Sequence, residues 1–306
     1  MPISINLRAA LFMVVAMAGF TANDALTKIV LESMGLAQVM LVRGFFATVM
    51  ILLLALVTGA LARPAQLLHP AVAVRALCET LATLTFLGAL IHMPLANVAA
   101  VLQALPLAVT MGAALFFGEH VRWRRWMAIA VGFAGVMIIV QPGLEGFNVF
   151  SLLALLCVVF AAARDLLTRR IPAHVPTLLV STASTVVVTV LGGALTLAAG
   201  EWAPMTASAT GLLLFASVLL IIGYQAIILA MRQGDISFVA PFRYTALVWA
   251  LGLGYLLLGE IPDAAMILGA SLVVLSGLYA LYRERRAGGS KPAAESVSPA
   301  MAPDGL

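Results

Sequence analysis

Long apolar runs constrain this chain more than any other feature. Segments of about 20 apolar residues, enough to cross roughly 30 Å of hydrocarbon as an α-helix, recur throughout the 306 residues. Only 10% of the residues are charged, whereas soluble domains have about 25%. Unbroken runs exclude a β-barrel, whose strands alternate. We predict an all-α integral membrane protein. Its ten transmembrane helices would cover residues 8–29, 36–58, 70–92, 95–117, 123–141, 149–169, 177–199, 208–231, 236–258 and 263–282.

The sequence repeats itself with an offset of 141 residues. Gly118-Glu119 ends one apolar run and Gly259-Glu260 ends another, and 259 minus 118 is 141. The polar residues of Asp24-Ala-Leu-Thr-Lys28 recur in the same register as Asp165-Leu-Leu-Thr-Arg169. Rare polar residues do not recur in register by chance as easily as apolar ones. The predicted units are therefore a five-helix repeat at 1–143, a second at 144–286, and a tail at 287–306 whose Gly, Ser, Pro and Ala content predicts disorder.

Basic residues predict the orientation of these helices. Lys and Arg gather in the connections on the cytoplasmic side of membrane proteins, so we place both termini in the cytoplasm. Because five is odd, the second repeat starts from the other side, and the two repeats are inverted, as in many secondary transporters. The residues at or near the inner face would be Arg8, Arg63, Arg75, Arg122, Arg124, Arg125, Arg169, Arg170, Arg232, Arg283, Arg285, Arg286 and Lys291. The outer connections would hold Lys28 with Glu32, Glu145, Glu201, Glu260 and Asp263.

Charged side chains within the spans mark a candidate site. Such residues are costly in lipid and usually face a bundle interior or a wet path. By depth, we expect Asp24 to pair with Arg43, and Glu79 or Asp165 to pair with Arg243. Glu79 and Arg243 are assigned to a functional cavity. The residues that either gate the path or form structural ion pairs are Asp24, Arg43, Arg164 and Asp165.

Neutral polar and aromatic residues lie between these charges, near the predicted midplane. They could hold a small zwitterion or a planar ring, or they could simply bond helices to one another. Pro106 lies within the fourth span, where it removes a backbone donor and predicts a helix break. The predicted substrate-binding residues are Glu79, Thr83, Phe86, Gln103, Tyr224, Arg243, Tyr244 and Trp249.

No catalytic or metal-binding pattern stands out in the sequence. The four histidines are scattered, and neither a nucleophile elbow nor an ATP-binding glycine loop occurs. Cys78 and Cys157 fall in apolar runs and predict neither a disulfide nor a metal site. We therefore predict no enzyme activity, no cofactor, no metal and no nucleic-acid partner. Passive or gradient-coupled movement of a solute is the function that this pattern favours.

The paired motifs resemble a known family. Leu-Phe-Phe-Gly118-Glu119 and Leu-Leu-Leu-Gly259-Glu260 are each followed by a helix of small residues, at 128–135 and 269–277. This arrangement resembles the EamA-type members of the drug/metabolite transporter superfamily, and the chain is similar to YddG-type exporters of aromatic amino acids. The resemblance implies a ten-helix carrier in the bacterial inner membrane, with a central cavity lined by the first four helices of each repeat. Helices 5 and 10 would be peripheral and would form the contact of a homodimer.

Three hypotheses follow for the function. The leading one is a carrier that exports aromatic and other neutral amino acids by alternating access. A second keeps the carrier but changes its small-molecule substrate to a vitamin, a nucleotide-related compound or an organic cation. A third is a membrane sensor or scaffold that transports nothing, in which the polar residues at the midplane would all pair with one another. In each case the lipid bilayer surrounds the chain.

Overall fold

Ten helices, each long and apolar enough to cross a membrane, make up the part of the chain that the computed structural model describes, residues 5–58, 69–119, 121–141, 149–172, 175–200, 202–233 and 236–286. The predicted all-α membrane fold is confirmed. Several residues discussed above lie outside these ranges: Arg63, His120, Glu145, His174, Glu201 and the tail 287–306. The unbroken helices are α1 Ile5–Leu31, α2 Leu36–Val57, α3 Pro70–His92, α5 Trp123–Val140, α6 Ser151–Thr168, α7 Thr177–Ala199, α8 Ala207–Gln233 and α10 Ala264–Arg286.

Helices α4 and α9 are each interrupted at an equivalent position. α4 consists of Leu95–Leu102 and Leu105–Phe117, and the turn between them contains Gln103. α9 consists of Ile236–Val239, a 3₁₀ segment at Ala240–Tyr244, and Thr245–Leu258. The breaks coincide in the repeat, since 103 plus 141 is 244. Proline is the second residue of the Leu105–Phe117 segment and of the 3₁₀ segment of α9, and each lacks the N–H that a continuous helix would use there.

Each helix packs mainly against a helix of the other repeat. The principal pairs are α1 with α8, α3 with α6, α2 with α7, and α5 with α10. The counterpart of each helix in the other repeat lies five places along the chain. If every helix is exchanged with its counterpart, the α1–α8 pair becomes the α6–α3 pair, and the α2–α7 and α5–α10 pairs are unchanged. The packing therefore has the pseudo-twofold symmetry of an inverted repeat.

The α5–α10 pair approaches backbone to backbone. A Cβ added to Gly135 would lie 2.6 Å from the carbonyl oxygen of Gly269, and one added to Gly269 would lie 2.5 Å from that of Gly135. Both distances are shorter than real Cβ contacts, so only glycine permits this crossing. Small residues serve membrane helices in this way, since they allow close van der Waals contact between backbones.

Candidate functional site

A cavity of about 540 Å³ lies inside the bundle. Its described lining residues come from α1 to α4 and α6 to α9, and none comes from α5 or α10. The volume is in the range of sites for small molecules. The helices that carry intramembrane charges are therefore the ones that surround the cavity.

The cavity is closed at one membrane face and reaches the other. We call the face at which α1 begins the N-terminal face, and the face at which α1 ends the opposite face. Met40 and Leu95, near the opposite face, line the cavity but are only 1% and 2% exposed. Leu54 and Thr177, near the N-terminal face, line the cavity and are half-buried. Solvent therefore has its access from the N-terminal face.

An ion pair with further hydrogen bonds closes the opposite face. Lys28 Nζ lies 2.5 Å from Glu260 Oε1 and donates a second hydrogen bond, also 2.5 Å, to the carbonyl of Met93. Glu260 Oε2 accepts the Leu95 N–H at 2.7 Å. The sequence placed Lys28 and Glu260 in the outer connections. In the structure they join the ends of α1 and α9 to the α3–α4 connection and are largely buried.

Glu79 is held between two arginines near the N-terminal half of the cavity. Arg164 Nη1 donates to both of its carboxylate oxygens, at 3.1 and 3.2 Å, and Arg75 Nη2 lies 3.4 Å from Oε2. Arg164 also pairs with Asp165, at 2.9 Å from Oδ1. Glu79 does not pair with Arg243 as we expected, because α3 packs against α6 and this brings Arg164 to the carboxylate first.

Arg75 lies inside the bundle rather than at the membrane face. Its side chain is 3% exposed, and its Nε donates to Thr168 Oγ1 at 3.2 Å while Nη1 donates to Ser184 Oγ. The sequence predicted a face position because Arg75 is near the start of α3. Hydroxyls from α6 and α7, together with Glu79, supply the partners that a buried guanidinium requires.

Arg243 presents an unpaired guanidinium to the cavity. Its side chain makes no hydrogen bond or salt bridge within the described part of the chain; Asp165, which pairs directly with Arg164 rather than with Arg243 as expected, is the carboxylate that acts on Arg243 electrostatically. Its backbone carbonyl accepts a hydrogen bond from Gln103 Nε2 at 3.3 Å, which links the two helix breaks. A free guanidinium in a partly dry cavity is a strong site for a carboxylate or phosphate.

Asn23 and Asp24 of α1 form an acceptor group in the same cavity. Asn23 Nδ2 donates to Asp24 Oδ1 at 2.9 Å, while Asn23 Oδ1 is buried and has no hydrogen-bond partner among the described residues. Arg43 reaches only Thr27 Oγ1, at 3.4 Å, so the expected Asp24–Arg43 ion pair is not formed in the described structure. The described lining has a net charge of +1, from four arginines and three carboxylates: Arg43, Arg75, Arg164 and Arg243 against Asp24, Glu79 and Asp165.

Aromatic rings form part of the apolar lining. Phe20 and Tyr224 meet edge to face with ring centroids 5.3 Å apart, and Phe86 lines the same cavity. Phe20, Asn23 and Arg75 were not among the predicted site residues. Only Asn23 carried a usable signal, as an amide beside Asp24 in an apolar helix.

The structure gathers most of the predicted site residues and leaves out two. Tyr244 points to α10, where a Cβ on Gly277 would lie 1.7 Å from its hydroxyl oxygen, and that hydroxyl is buried without a partner. Trp249 is 39% exposed and does not line the cavity. The 3₁₀ segment of α9 changes the direction in which these side chains point. The predicted residues that do line the cavity are Asp24, Arg43, Glu79, Thr83, Phe86, Gln103, Arg164, Asp165, Tyr224 and Arg243.

An inverted-repeat bundle that closes a charged, aromatic-lined cavity at one face defines a membrane carrier. The model of the EamA-like transporter family matches residues 7–141 and 149–282, one match for each five-helix repeat. The chain belongs to the EamA-like transporter family. It is a membrane transporter of small metabolites.

Characterised relatives carry different solutes. The chain is 30% identical over 212 residues to a riboflavin transporter of Rhizobium johnstonii, covering 69% of this chain and 70% of the relative. It is 28% identical over 282 residues to the pseudopaline exporter CntI of Pseudomonas aeruginosa, covering 90% of this chain and 96% of the relative. It is 26% identical over 200 residues to an S-adenosylmethionine uptake transporter of Rickettsia bellii, covering 63% of this chain and 66% of the relative. These names agree on small-molecule transport and differ in solute and direction.

A solved crystal structure supports the fold. It is 20% identical in sequence, covers 90% of this chain and 99% of its own, and superposes with a TM-score of 0.60. At this identity the similarity concerns the fold alone.

Proposed function

We propose that this protein carries zwitterionic metabolites, amino acids or compounds that contain an amino-acid group, across the bacterial inner membrane by alternating access. The observation that carries the proposal is the unpaired Arg243 guanidinium in the same cavity as the Asn23–Asp24 acceptors. The solute carboxylate binds Arg243, and its ammonium group binds Asp24 and the free Asn23 Oδ1. A solute with only one of these charges leaves the other group unpaired.

Glu79 has a supporting role in this proposal. The sequence predicted Glu79 as a substrate-binding residue, but both of its carboxylate oxygens accept hydrogen bonds from Arg164, and Arg75 lies beside it. Removing Glu79 from this cluster would take the shared carboxylate from Arg75 and Arg164, and Arg164 would keep Asp165. Glu79 therefore fixes α3 against α6 and shapes the wall on which the solute rests.

Export is the direction that we propose. The excess of Lys and Arg near the N-terminal face supports a cytoplasmic location of both termini. In that orientation the cavity reaches the cytoplasm, where a solute for export enters. Aromatic and neutral amino acids fit a lining that combines the charged groups with Phe20, Phe86 and Tyr224. A homodimer through α5 and α10 stays a prediction from the family resemblance.

A planar vitamin is the second candidate solute. Phe20, Phe86 and Tyr224 offer aromatic faces and edges to a ring, and a relative is named as a riboflavin transporter. A sensor or scaffold without transport is disfavoured, because it required every midplane polar group to be paired and no cavity to exist. The unpaired Arg243 and the cavity itself argue against it.

Flux into liposomes that contain the purified protein tests the proposal. The rate of uptake into these liposomes is compared with the rate into protein-free vesicles, with and without a pH gradient. The solutes are phenylalanine, leucine, phenethylamine, phenylpropionate and riboflavin. We expect both amino acids to move faster than in protein-free vesicles, and the two single-charge analogues of phenylalanine to move no faster. Movement of riboflavin alone favours the second candidate. Equal acceleration of phenylalanine and both analogues contradicts recognition of a zwitterion.

A further inference from the structure

A second ion pair is the repeat counterpart of the one that closes the opposite face. Arg169 Nη1 lies 2.7 Å from Glu119 Oε1, at the N-terminal face, where α6 and α4 end. Lys28 plus 141 is position 169, and Glu119 plus 141 is position 260. The inverted repeat thus places one basic–acidic pair at each membrane face, and the two helix ends that form one pair are the repeat counterparts of the two that form the other.

The Gly-Glu motif has the same backbone geometry at both faces. Gly118 and Gly259 adopt the left-handed conformation, with φ of 67° and 65°, and cap α4 and α9. The next N–H then bonds back into the helix, from Glu119 to the Ala113 carbonyl at 3.3 Å and from Glu260 to the Gly254 carbonyl at 3.0 Å. This helix cap favours glycine, since other residues adopt the left-handed conformation at a cost. It turns each glutamate toward the basic residue.

The two pairs differ in burial. The Lys28 and Glu260 side chains are 11% and 16% exposed, whereas those of Arg169 and Glu119 are 23% and 45% exposed. The more buried pair lies at the closed face, and the more exposed pair lies at the face that the cavity reaches. Burial strengthens an ion pair with good geometry, because water screens it less.

We propose that the two Gly-Glu motifs are reciprocal gates: Lys28–Glu260 locks the opposite face in this conformation, and Arg169–Glu119 becomes the buried lock when the cavity turns to the opposite face. This inference rests on the alternating-access part of the proposed function and not on the solute. Both pairs are formed in this conformation, but each is the more buried and stronger pair in a different state, so weakening one pair shifts the population toward the other state.

Labelling of one cysteine with a membrane-impermeant maleimide tests the gates without any solute. Ala99 lines the cavity one helical turn from Leu95 and is half-buried. Ala99→Cys is introduced after Cys78→Ala and Cys157→Ala, which remove both native cysteines. The reagent is applied separately to right-side-out and inside-out vesicles. With the native gates, we expect labelling mainly from the N-terminal face.

Weakening the lock at the opposite face exposes the reporter to that face. Lys28→Met and Glu260→Gln should each raise labelling from the opposite face by about tenfold, the shift that loss of one charge-assisted hydrogen bond from a single state produces. Glu260→Gln still accepts the Leu95 N–H, so it decides the test if Lys28→Met fails to insert. Arg169→Met and Glu119→Gln should instead lower labelling from the opposite face. Glu32→Gln removes an exposed charge near that face and should change nothing.

Two results overturn the inference in distinguishable ways. If Glu260→Gln labels like Glu32→Gln, the ion pairs are not gates, and the solute proposal is untouched. If the reporter with native gates labels equally from both faces, the opposite face is not locked, and the inference that Lys28–Glu260 closes it is wrong. If labelling switches as expected while amino acids do not move in the flux assay, the gates stand and only the solute proposal fails.

Discussion

The hydroxyls of Thr48 and Thr189 share a hydrogen bond of 3.0 Å between α2 and α7. The two residues are 141 positions apart, which is the offset of the repeat. A residue that contacts its own counterpart lies on the pseudo-twofold axis of the inverted repeat. The axis therefore passes between α2 and α7, through a contact that depends on Gly44, since a Cβ there would lie 2.6 Å from Thr189 Oγ1.

Gly44→Ala should destabilise the protein through this contact. We expect a cost of about 1–3 kcal/mol for overpacking, because the new methyl group meets Thr189. Adding Thr189→Ala removes the Thr189 Oγ1 atom and should restore most of the stability that Gly44→Ala loses. Thermal unfolding in detergent measures both. Gly211→Ala is the control, since nothing lies within 4 Å of a Cβ at Gly211. Equal melting temperatures for Gly44→Ala and Gly211→Ala would contradict the prediction.

Glu79→Ala should act mainly on stability. It removes the carboxylate that Arg75 and Arg164 share, and breaking a buried ion pair typically costs up to about 3–5 kcal/mol, less here because Arg164 keeps Asp165. We expect the melting temperature and the yield of folded protein to fall. Both quantities should fall less in Glu79→Gln, because glutamine keeps the size of the side chain and one acceptor oxygen. A folded Glu79→Ala protein with the native melting temperature and no flux would return Glu79 to the role of a direct solute ligand.

Arg243→Gln should act mainly on transport. Because the guanidinium makes no direct hydrogen bond or salt bridge in the described structure, and Asp165, which acts on it electrostatically, keeps its salt bridge with Arg164, the melting temperature should stay nearly the same. Phenylalanine flux should fall by at least about tenfold, the typical loss for one charge-assisted contact. Arg122→Gln, an exposed arginine outside the cavity, is the control. Unchanged flux in Arg243→Gln would remove the carboxylate site that we propose.

Tyr244→Phe should leave transport unchanged. The Tyr244 hydroxyl is buried against α10 without a partner, so its removal should be neutral or should stabilise the protein by about 1 kcal/mol. Flux and melting temperature measure the two effects. Tyr224→Ala, which alters the cavity wall, is the comparison and should reduce flux. A loss of flux in Tyr244→Phe would mean that this hydroxyl turns toward the solute in another state.

The helices were predictable because hydrophobic length is a local property. The predicted span at 70–92 coincides with α3, and that at 177–199 coincides with α7. The buried charges were also predictable, because a charged side chain within an apolar span is costly in lipid and usually faces the interior of the bundle. Their partners were not. Depth along the membrane suggested Arg243 for Glu79, but the pairing depends on which faces of distant helices meet.

Helix ends and helix breaks account for the remaining differences. Lys28 and Arg75 lie near helix ends, where a sequence pattern cannot separate a solvated charge from one that neighbouring helices enclose. Tyr244 is the repeat counterpart of Gln103, and equivalence suggested that both face the cavity. The break in α4 is a short turn, whereas that in α9 is a 3₁₀ segment, and the two turn the following side chains by different amounts.

The pairing of helices across the repeats also affects how the chain is made. When α1 to α5 have entered the bilayer, their principal partners α6, α7, α8 and α10 have not yet been synthesised. At that stage the second-repeat groups that enclose Arg43, Arg75 and Glu79 are absent. These three side chains then face lipid or the insertion machinery. Neither half can complete an interior alone, so the most vulnerable moment in the biogenesis of this transporter comes midway through translation.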